Sequence, residues 1–203
     1  KVLVIMKKIF LGVYHPSVIL TYIGVLISLW GIFFSQSLYH STVLLILAGL
    51  CDTFDGMFAR RYKRSGLEER FGVEIDSLAD LVSFGILPAK IYMLYFYRNK
   101  YIAFVLISIY LLAVIIRLAY FNATSDEDRM HFTGLAVTYS AFFLSAYIVA
   151  GKCVGEKFLF PIECIYIFLT FGFLWNRKIK KPNLYIRLIF LILAVLFIAA
   201  LLL

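Results

Sequence analysis

The sequence predicts an all-α fold, a polytopic bundle of transmembrane helices. Of the 203 residues, 63% are hydrophobic and 18% are aromatic, and the mean hydropathy is +0.93, well above what soluble domains usually show. A spanning helix needs about 20 mostly apolar residues, and seven windows meet that need: 16–36, 40–61, 73–97, 101–122, 133–151, 158–176 and 184–203. Because a chain in lipid must satisfy its own backbone hydrogen bonds, apolar runs of this length favour helices over barrel strands.

The chain divides into three predicted parts. Residues 1–15 carry Lys7 and Lys8 beside apolar side chains, a pattern typical of an amphipathic helix at the membrane interface. No small-residue cleavage site of a signal peptide is evident there. Residues 16–181 form the main transmembrane domain, and residues 182–203 form an additional C-terminal span.

Lysine and arginine are concentrated on one side of the predicted bundle. Basic clusters precede the first span and follow the second and the sixth, whereas the opposite side has only Arg98, Lys100, Lys152 and Lys157. By the positive-inside rule, the N-terminus and the 62–71 loop face the cytosol. Topology and contact with anionic lipids account for most of these cations.

One stretch departs from the apolar pattern, since residues 51–85 hold seven acidic and five basic side chains. Asp52 and Asp55 are three apart at the end of the second span, and Asp76 and Asp80 are four apart at the start of the third. These spacings place each pair on one helix face. Two helices joined by a short cytosolic loop can therefore direct four carboxylates into one pocket.

Four clustered carboxylates would stay ionised only around cations. Oxygen ligands favour Mg²⁺, Mn²⁺ or Ca²⁺ over zinc or copper, and such a site suits a phosphate-bearing substrate. The cysteines and histidines show no metal-ligand spacing and are interpreted as packing or interface residues: Cys51, Cys153, Cys164, His15, His40 and His131.

The small residues beside the aspartates admit two interpretations. Gly56, Ala59 and Gly72 lie on or near the acidic faces, and glycine inside a helix costs about 1 kcal/mol relative to alanine. Close approach of a ligand would justify that cost, and so would helix packing in a membrane. Arg60 follows at a position where its planar guanidinium group could hold a phosphate.

The order of these residues resembles the signature of the CDP-alcohol phosphotransferase family. The match reads Asp52-x-x-Asp55-Gly56-x-x-Ala59-Arg60, then Gly72-x-x-x-Asp76-x-x-x-Asp80, and it fills all eight signature positions. The eleven residues between Arg60 and Gly72 make a slightly longer connection than is common in the family. Lengthening a surface loop costs little free energy.

The resemblance implies a six-helix catalytic core that binds a CDP-linked donor and two divalent metals, Mg²⁺ or Mn²⁺, with Ca²⁺ as a non-catalytic occupant. Asp52, Asp55 and Asp76 would be metal ligands, and Asp80 would be the general base and contribute to the metal site. The products would be a phosphodiester and CMP. The donor-binding residues would be Gly56, Ala59, Arg60 and Gly72.

Further segments resemble the bacterial-type phosphatidylserine synthases of that family. They are "DSLADLVSFGILPA" at 76–89, "RLAYFN" at 117–122, "FTGLAVTYSA" at 132–141 and "LWNRKIKKP" after the sixth span. This resemblance implies a homodimer that transfers a phosphatidyl group from CDP-diacylglycerol to L-serine.

Two departures leave the acceptor open. Tyr120 stands where a second arginine is common, and Ala136, Thr138 and Tyr139 replace a proline-bearing stretch. Glycerol phosphate, inositol phosphate, glycerol and choline are the alternative acceptors.

Candidate residues for the acceptor or the lipid phosphate are Arg117, Asn122, Arg129 and Ser83. Each also has a structural interpretation. Arg117 could pair with a carbonyl or an aspartate, Arg129 could be solvated in its charged loop, and serine commonly bonds its own helix backbone.

The predicted site lies at the membrane interface, where it could admit a lipid sideways while the CDP group reaches the metals from the cytosol. The sequence thus predicts an integral protein of a bacterial or archaeal cell membrane, surrounded by membrane lipids, with its active site facing the cytoplasm and no nucleic-acid partner. A cation transporter is the alternative from another class. Its acidic residues would lie deep in several spans, whereas here most lie near one face.

Overall fold

The computed structural model describes residues 12–13, 16–59, 65–124, 131–155, 161–180 and 184–203. These ranges form a helical bundle, which confirms the predicted fold class. A short 3₁₀ turn, Pro16–Val18, precedes the first helix, and a π-helical segment, Leu81–Ile86, joins the third helix to the fourth. The helices are α1 Ile19–Phe33, α2 Leu38–Ala59, α3 Gly66–Asp80, α4 Leu87–Tyr95, α5 Lys100–Thr124, α6 Tyr139–Val154, α7 Glu163–Leu174 and α8 Leu184–Leu202.

Each of the seven predicted windows contains helix, and the chain is an integral membrane protein. Among the described residues, three helical stretches are long and apolar enough to cross a membrane: Gly66–Tyr95, Lys100–Thr124 and Tyr185–Leu202. Three further apolar helices are shorter: Ile19–Phe33, Tyr139–Val154 and Glu163–Leu174. The predicted interfacial segment, residues 1–15, lies almost entirely outside the described residues.

The third predicted span begins earlier than its apolar window, because a capping box starts the helix at Gly66. The Ser65 hydroxyl accepts a hydrogen bond from the Glu68 backbone N–H at 3.3 Å, and the Glu68 carboxylate accepts one from the Ser65 N–H at 2.9 Å. This reciprocal pair satisfies backbone donors that the first turn leaves free. The polar start of α3 thereby becomes continuous with the membrane-spanning part.

The fifth span begins later than predicted, at Tyr139 rather than residue 133. Residues before it form β1 (His131–Thr133), which pairs antiparallel with β2 (Lys178–Lys180). Gly134 follows with φ +74°, and a Cβ there would lie 2.6 Å from the Phe173 carbonyl oxygen. Only glycine adopts this conformation without strain, so Gly134 turns the chain out of the strand and towards α6.

In the π-helical segment, the Phe84 carbonyl accepts hydrogen bonds from two other helices. Pro88 has no N–H to donate to the Phe84 carbonyl four residues earlier. The Tyr110 hydroxyl and the Ser140 hydroxyl both donate to that carbonyl instead. Tyr110 lies on α5 and Ser140 on α6, so the segment ties three helices together.

Buried tyrosines form the centre of the core. Tyr110 and Tyr166 pack edge to face with ring centroids 5.1 Å apart, and Tyr92 and Tyr166 do so at 5.2 Å. The Tyr166 hydroxyl donates to the Pro88 carbonyl at 2.8 Å. Because a buried hydroxyl needs a partner, these bonds fix α4, α5 and α7 against one another.

The last helix, α8, lies at the edge of the bundle, where it packs on α2 and α6. At its end, the Lys152 ammonium donates to the carbonyls of Ala200 and Leu201 at 3.0 and 3.1 Å. A cation at a helix C-terminus satisfies carbonyls that lack intrahelical partners. This contact attaches α8 to α6.

Candidate active site

The two aspartates of α2 lie in its last two turns, where α2 approaches α3. The Asp55 carboxylate accepts a hydrogen bond from the Thr21 hydroxyl of α1 at 3.0 Å. Asp55 is only 8% exposed, whereas Asp52 is half-buried. Thr21 therefore orients a carboxylate that has little access to water.

The two aspartates of α3 complete a compact cluster. Carboxylate oxygens of Asp52, Asp76 and Asp80 all lie within 4.8 Å of one another. Asp55 is in direct side-chain contact with Asp76. The two helical spacings therefore bring all four predicted carboxylates together.

The donor set of the cluster fits a hard divalent cation. It consists of carboxylate oxygens from two helices at separations that one ion can bridge. Carboxylates this close repel one another unless a cation or a proton lies between them. Oxygens of Asp52, Asp76 and Asp80 are close enough to share one metal ion, and the contact of Asp55 with Asp76 places a fourth carboxylate beside them.

The aspartates line a cleft of about 310 Å³, whose remaining walls are mostly apolar. Besides the four aspartates, its lining comprises residues of α2, α3, α5, α6, α8 and the loop before α6: Ile46, Gly49, Leu50, Thr53, Gly56, Ser77, Arg117, Leu118, Phe121, Ala136, Val137, Thr138, Tyr139, Ala141, Phe142, Arg187, Phe190, Ala194 and Phe197. A carboxylate cluster in a mostly apolar cleft suits an amphiphilic ligand with a charged head.

Arg117 is the cleft cation that the sequence singled out. It is 5% exposed, and its Nε donates to the Leu135 carbonyl at 3.2 Å. Its guanidinium lies 5.1 Å from the ring centre of Phe121 and close enough to Asp80 for electrostatic attraction. Arg117 therefore has the carbonyl partner that a structural role would require, and it also lines the cleft.

The other acceptor candidates lie elsewhere or outside the described residues. Asn122 accepts from the Ser77 hydroxyl at 2.7 Å and donates to Glu74 at 3.1 Å, so it links α5 to α3 without lining the cleft. Ser83 lies in the π-helical segment, where it accepts from the Ser28 hydroxyl of α1 at 2.7 Å. Arg129 is among the residues that are not described.

The candidates for binding the CDP donor also lie partly at the cleft and partly outside the described residues. Gly56 lines the cleft, and a Cβ there would meet no atom within 4 Å. Gly72 lies one turn before Asp76 and is not among the described residues that line the cleft. The side chain of Ala59 and the whole of Arg60 lie outside the described part of the chain.

The sequence interpretation missed the contribution of α8. Arg187, Phe190, Ala194 and Phe197 of this helix all line the cleft. Their spacing of three, four and three residues is that of one helix face. Arg187 is the only charged residue between Leu184 and Leu202, and a lone charge in an apolar span is the signal that could have identified this face.

Comparisons with known proteins identify the family of the chain. The sequence profile of the CDP-alcohol phosphatidyltransferase family matches residues 14–201. The archaetidylserine synthase of Methanothermobacter thermautotrophicus is 29% identical over 162 residues, which cover 80% of this chain and 64% of that protein. The CDP-diacylglycerol–serine O-phosphatidyltransferase of Saccharomyces cerevisiae is 45% identical over 124 residues, covering 57% of this chain and 42% of that protein.

A protein of the same name from Helicobacter pylori strain 26695 is 27% identical over 168 residues, covering 79% of this chain and 68% of that protein. No solved structure matches the chain significantly. The family profile spans nearly the whole chain, including all four clustered aspartates and α8 up to Leu201. The chain belongs to the CDP-alcohol phosphatidyltransferase family.

Proposed function

We propose that this protein is a metal-dependent membrane phosphatidyltransferase that transfers the phosphatidyl group of CDP-diacylglycerol to the hydroxyl of L-serine, giving phosphatidylserine and CMP. The observation that carries the proposal is the convergence of the four signature aspartates on one cleft with apolar walls. Similar proteins whose names specify serine as the acceptor support the choice of alcohol.

Asp80 is proposed as the general base. An aliphatic hydroxyl is a poor nucleophile, so a carboxylate within reach must take its proton as the new bond to phosphorus forms. The acceptor oxygen then replaces CMP at the phosphorus of the phosphatidyl group, and the proton passes to Asp80. Asp80 faces the cleft beside Arg117, whose charge also favours an anionic acceptor group nearby.

Asp52, Asp55 and Asp76 are proposed as the residues that hold Mg²⁺ or Mn²⁺, with a contribution from Asp80. When bound, the metals would neutralise the pyrophosphate oxygens and stabilise departing CMP. The protein supplies the rigid frame for this ligand set, since Thr21 orients Asp55 and both pairs lie on ordered helices.

The apolar walls of the cleft fit the lipid part of the donor. Leu118, Phe142, Phe190 and Phe197 continue from the aspartates along α5, α6 and α8. Aromatic and aliphatic walls favour the glycerol and the first methylene groups over water. We propose that the cleft opens to the cytoplasm in a bacterial or archaeal cell membrane and that the enzyme acts as a homodimer.

An acceptor panel tests the proposed reaction. Purified full-length protein with CDP-diacylglycerol and Mn²⁺ should release CMP with L-serine and much less with glycerol 3-phosphate, inositol phosphate, glycerol or choline. Release with one of the others, but not with serine, would refute the acceptor while leaving the family chemistry intact. Absence of release with every acceptor would contradict the proposed activity.

The archaetidyl group is a second candidate for the group that the enzyme transfers. The relative from Methanothermobacter thermautotrophicus that covers 80% of this chain is named for archaetidylserine. The panel should therefore be repeated with a CDP donor carrying the archaetidyl group. A kcat/KM higher with this donor would assign archaetidyl transfer in place of phosphatidyl transfer.

Gly56 provides a test of ligand approach that separates function from folding. We expect Gly56→Ala to lower kcat/KM for the CDP donor by about tenfold, the scale of an added methyl group in a close-fitting site. Stability should not fall, because the new Cβ meets no atom within 4 Å and alanine is the better helix former. Initial rates and thermal unfolding of the purified variant are the measurements.

Gly66→Ala is the matched control for this test. A Cβ at Gly66 also meets no atom within 4 Å, but Gly66 begins α3 and does not line the cleft. Its kcat/KM should equal that of the wild type. Equal activity of both variants would remove Gly56 from the donor site.

A further inference from the structure

We infer that Arg187 of α8 binds a substrate oxyanion, either the carboxylate of the acceptor or a phosphate of the donor. The inference rests on the proposed function and assigns a ligand to a residue outside the eight-position signature. Arg187 lines the cleft together with the four aspartates and Arg117. Among the described residues, the cleft lining therefore includes two arginines, contributed by α5 and α8.

The direction of Arg187 is set by the packing of its helix. Phe190 lies one turn further along α8, and its ring centroid is 5.7 Å from that of Tyr139 and 5.3 Å from that of Phe142. Phe197 continues the same face at 6.0 Å from Phe142. Because residues three and seven positions apart share a helix face, these contacts direct the Arg187 side chain to the cleft.

The depth of Arg187 matches that of the aspartates. Arg187 is the fourth residue of α8, and Asp55 is the fifth residue from the end of α2, against which α8 packs. Consecutive spans alternate in direction, so the end of α2 and the start of α8 lie at the same side of the bundle. Arg187 therefore lines the cleft from the side of the bundle on which Asp52 and Asp55 lie.

An arginine at this position is costly without an anion. α8 has a mean hydropathy of 2.8 in its spanning window, only 6% of which is buried inside the protein. Within the described ranges, no hydrogen bond or ion pair engages Arg187. Charged side chains in spanning helices usually face a polar cavity and bind a partner there, and the planar guanidinium group matches carboxylate and phosphate oxygens in pairs.

Arg187 also has a consequence for Tyr120, which stands where similar sequences commonly have a second arginine. Tyr120 is 50% exposed and is not among the described residues that line the cleft. An arginine at position 120 of this fold would therefore lie outside the cleft. Among the described residues that line the cleft, the second arginine comes instead from α8.

The test compares Arg187→Gln with the wild type in full-length purified protein. We expect kcat/KM to fall by about tenfold to a hundredfold, the range for a lost charge-assisted hydrogen bond. A rise in KM for serine alone would assign the acceptor carboxylate, and a rise in KM for CDP-diacylglycerol alone would assign a donor phosphate. Arg187→Lys should recover part of the loss, since it keeps the charge but not the paired donors.

Arg98→Gln is the control, because Arg98 is an exposed arginine in the connection between α4 and α5. It should leave both KM values unchanged. An arginine that only anchors α8 to lipid headgroups would also leave both KM values of Arg187→Gln unchanged, and that result would overturn the inference. If Arg187→Gln does not fold, the Arg187→Lys KM values decide in the same way.

The binding of substrate separates this inference from the proposed reaction. If the wild type released no CMP with any acceptor, the proposed function would fail, and equilibrium binding of CDP-diacylglycerol and of serine to both proteins would decide the inference. Weaker binding of either ligand by Arg187→Gln would support it. Equal binding of both ligands would overturn it.

Discussion

Asp80→Asn should lower turnover by about 10²–10⁴-fold, the usual contribution of a general base. Asparagine has nearly the same shape as aspartate but cannot accept the proton of the acceptor hydroxyl. Asp80 also lies within 4.8 Å of the ligand oxygens of Asp52 and Asp76, so some loss of metal affinity is expected. Single-turnover CMP release at saturating Mn²⁺ measures the proton-transfer defect with the metal site filled.

The control for this variant is Glu69→Gln, the same carboxylate-to-amide change in the exposed first turn of α3. Its turnover should equal that of the wild type. Asp80→Asn should still bind CDP-diacylglycerol and unfold at a temperature close to that of the wild type. Wild-type turnover in Asp80→Asn would refute the assignment of Asp80 as the base.

Removal of divalent metal should abolish activity, with a loss of about 10³-fold or more. Several kcal/mol of transition-state stabilisation by the metal correspond to that factor, since about 1.4 kcal/mol is tenfold in rate. Dialysis against EDTA followed by an assay of CMP release measures the loss. Added Mg²⁺ or Mn²⁺ should restore the rate.

A second measurement makes this prediction independent of turnover. A metal that binds only the folded protein raises its unfolding temperature, so Mn²⁺ should stabilise the wild type. Asp52→Asn and Asp76→Asn should lose this stabilisation, whereas Glu69→Gln should keep it. Full activity after exhaustive chelation, together with no thermal response to Mn²⁺, would contradict the metal site.

The clustering of the four aspartates could be predicted from the sequence because it depends on local helix geometry. Asp52 with Asp55 and Asp76 with Asp80 need only helical spacing to share a face, and the short connection brings α2 and α3 together. Asn122 was chosen for its proximity to Arg117 in sequence, without regard to helical spacing. Five residues along a helix turn the side chain by about 140°, and Asn122 accordingly contacts Ser77 and Glu74.

Other features depend on contacts between distant segments. The chain before α6 is positioned by the pairing of β1 with β2, in which His131 lies opposite Lys180 and Thr133 lies opposite Lys178. The apolar window placed the start of the fifth span at residue 133, because hydropathy contains no information on strand pairing or on the positive φ of Gly134. The start of α3 did have a local signal, the Ser65 and Glu68 capping box, which an apolar window does not weigh.

The π-helical segment between α3 and α4 sets the direction in which Asp76 and Asp80 point relative to the core-packing face of α4. A π turn contains one residue more than an α turn, and each residue rotates a helix by about 100°. Leu81–Ile86 therefore offsets the face carrying Asp76 and Asp80 from the face that packs Leu87, Ile91 and Tyr92 into the core. Deleting a single residue there would leave the third span apolar and helical, yet it would rotate two of the four carboxylates away from the other two.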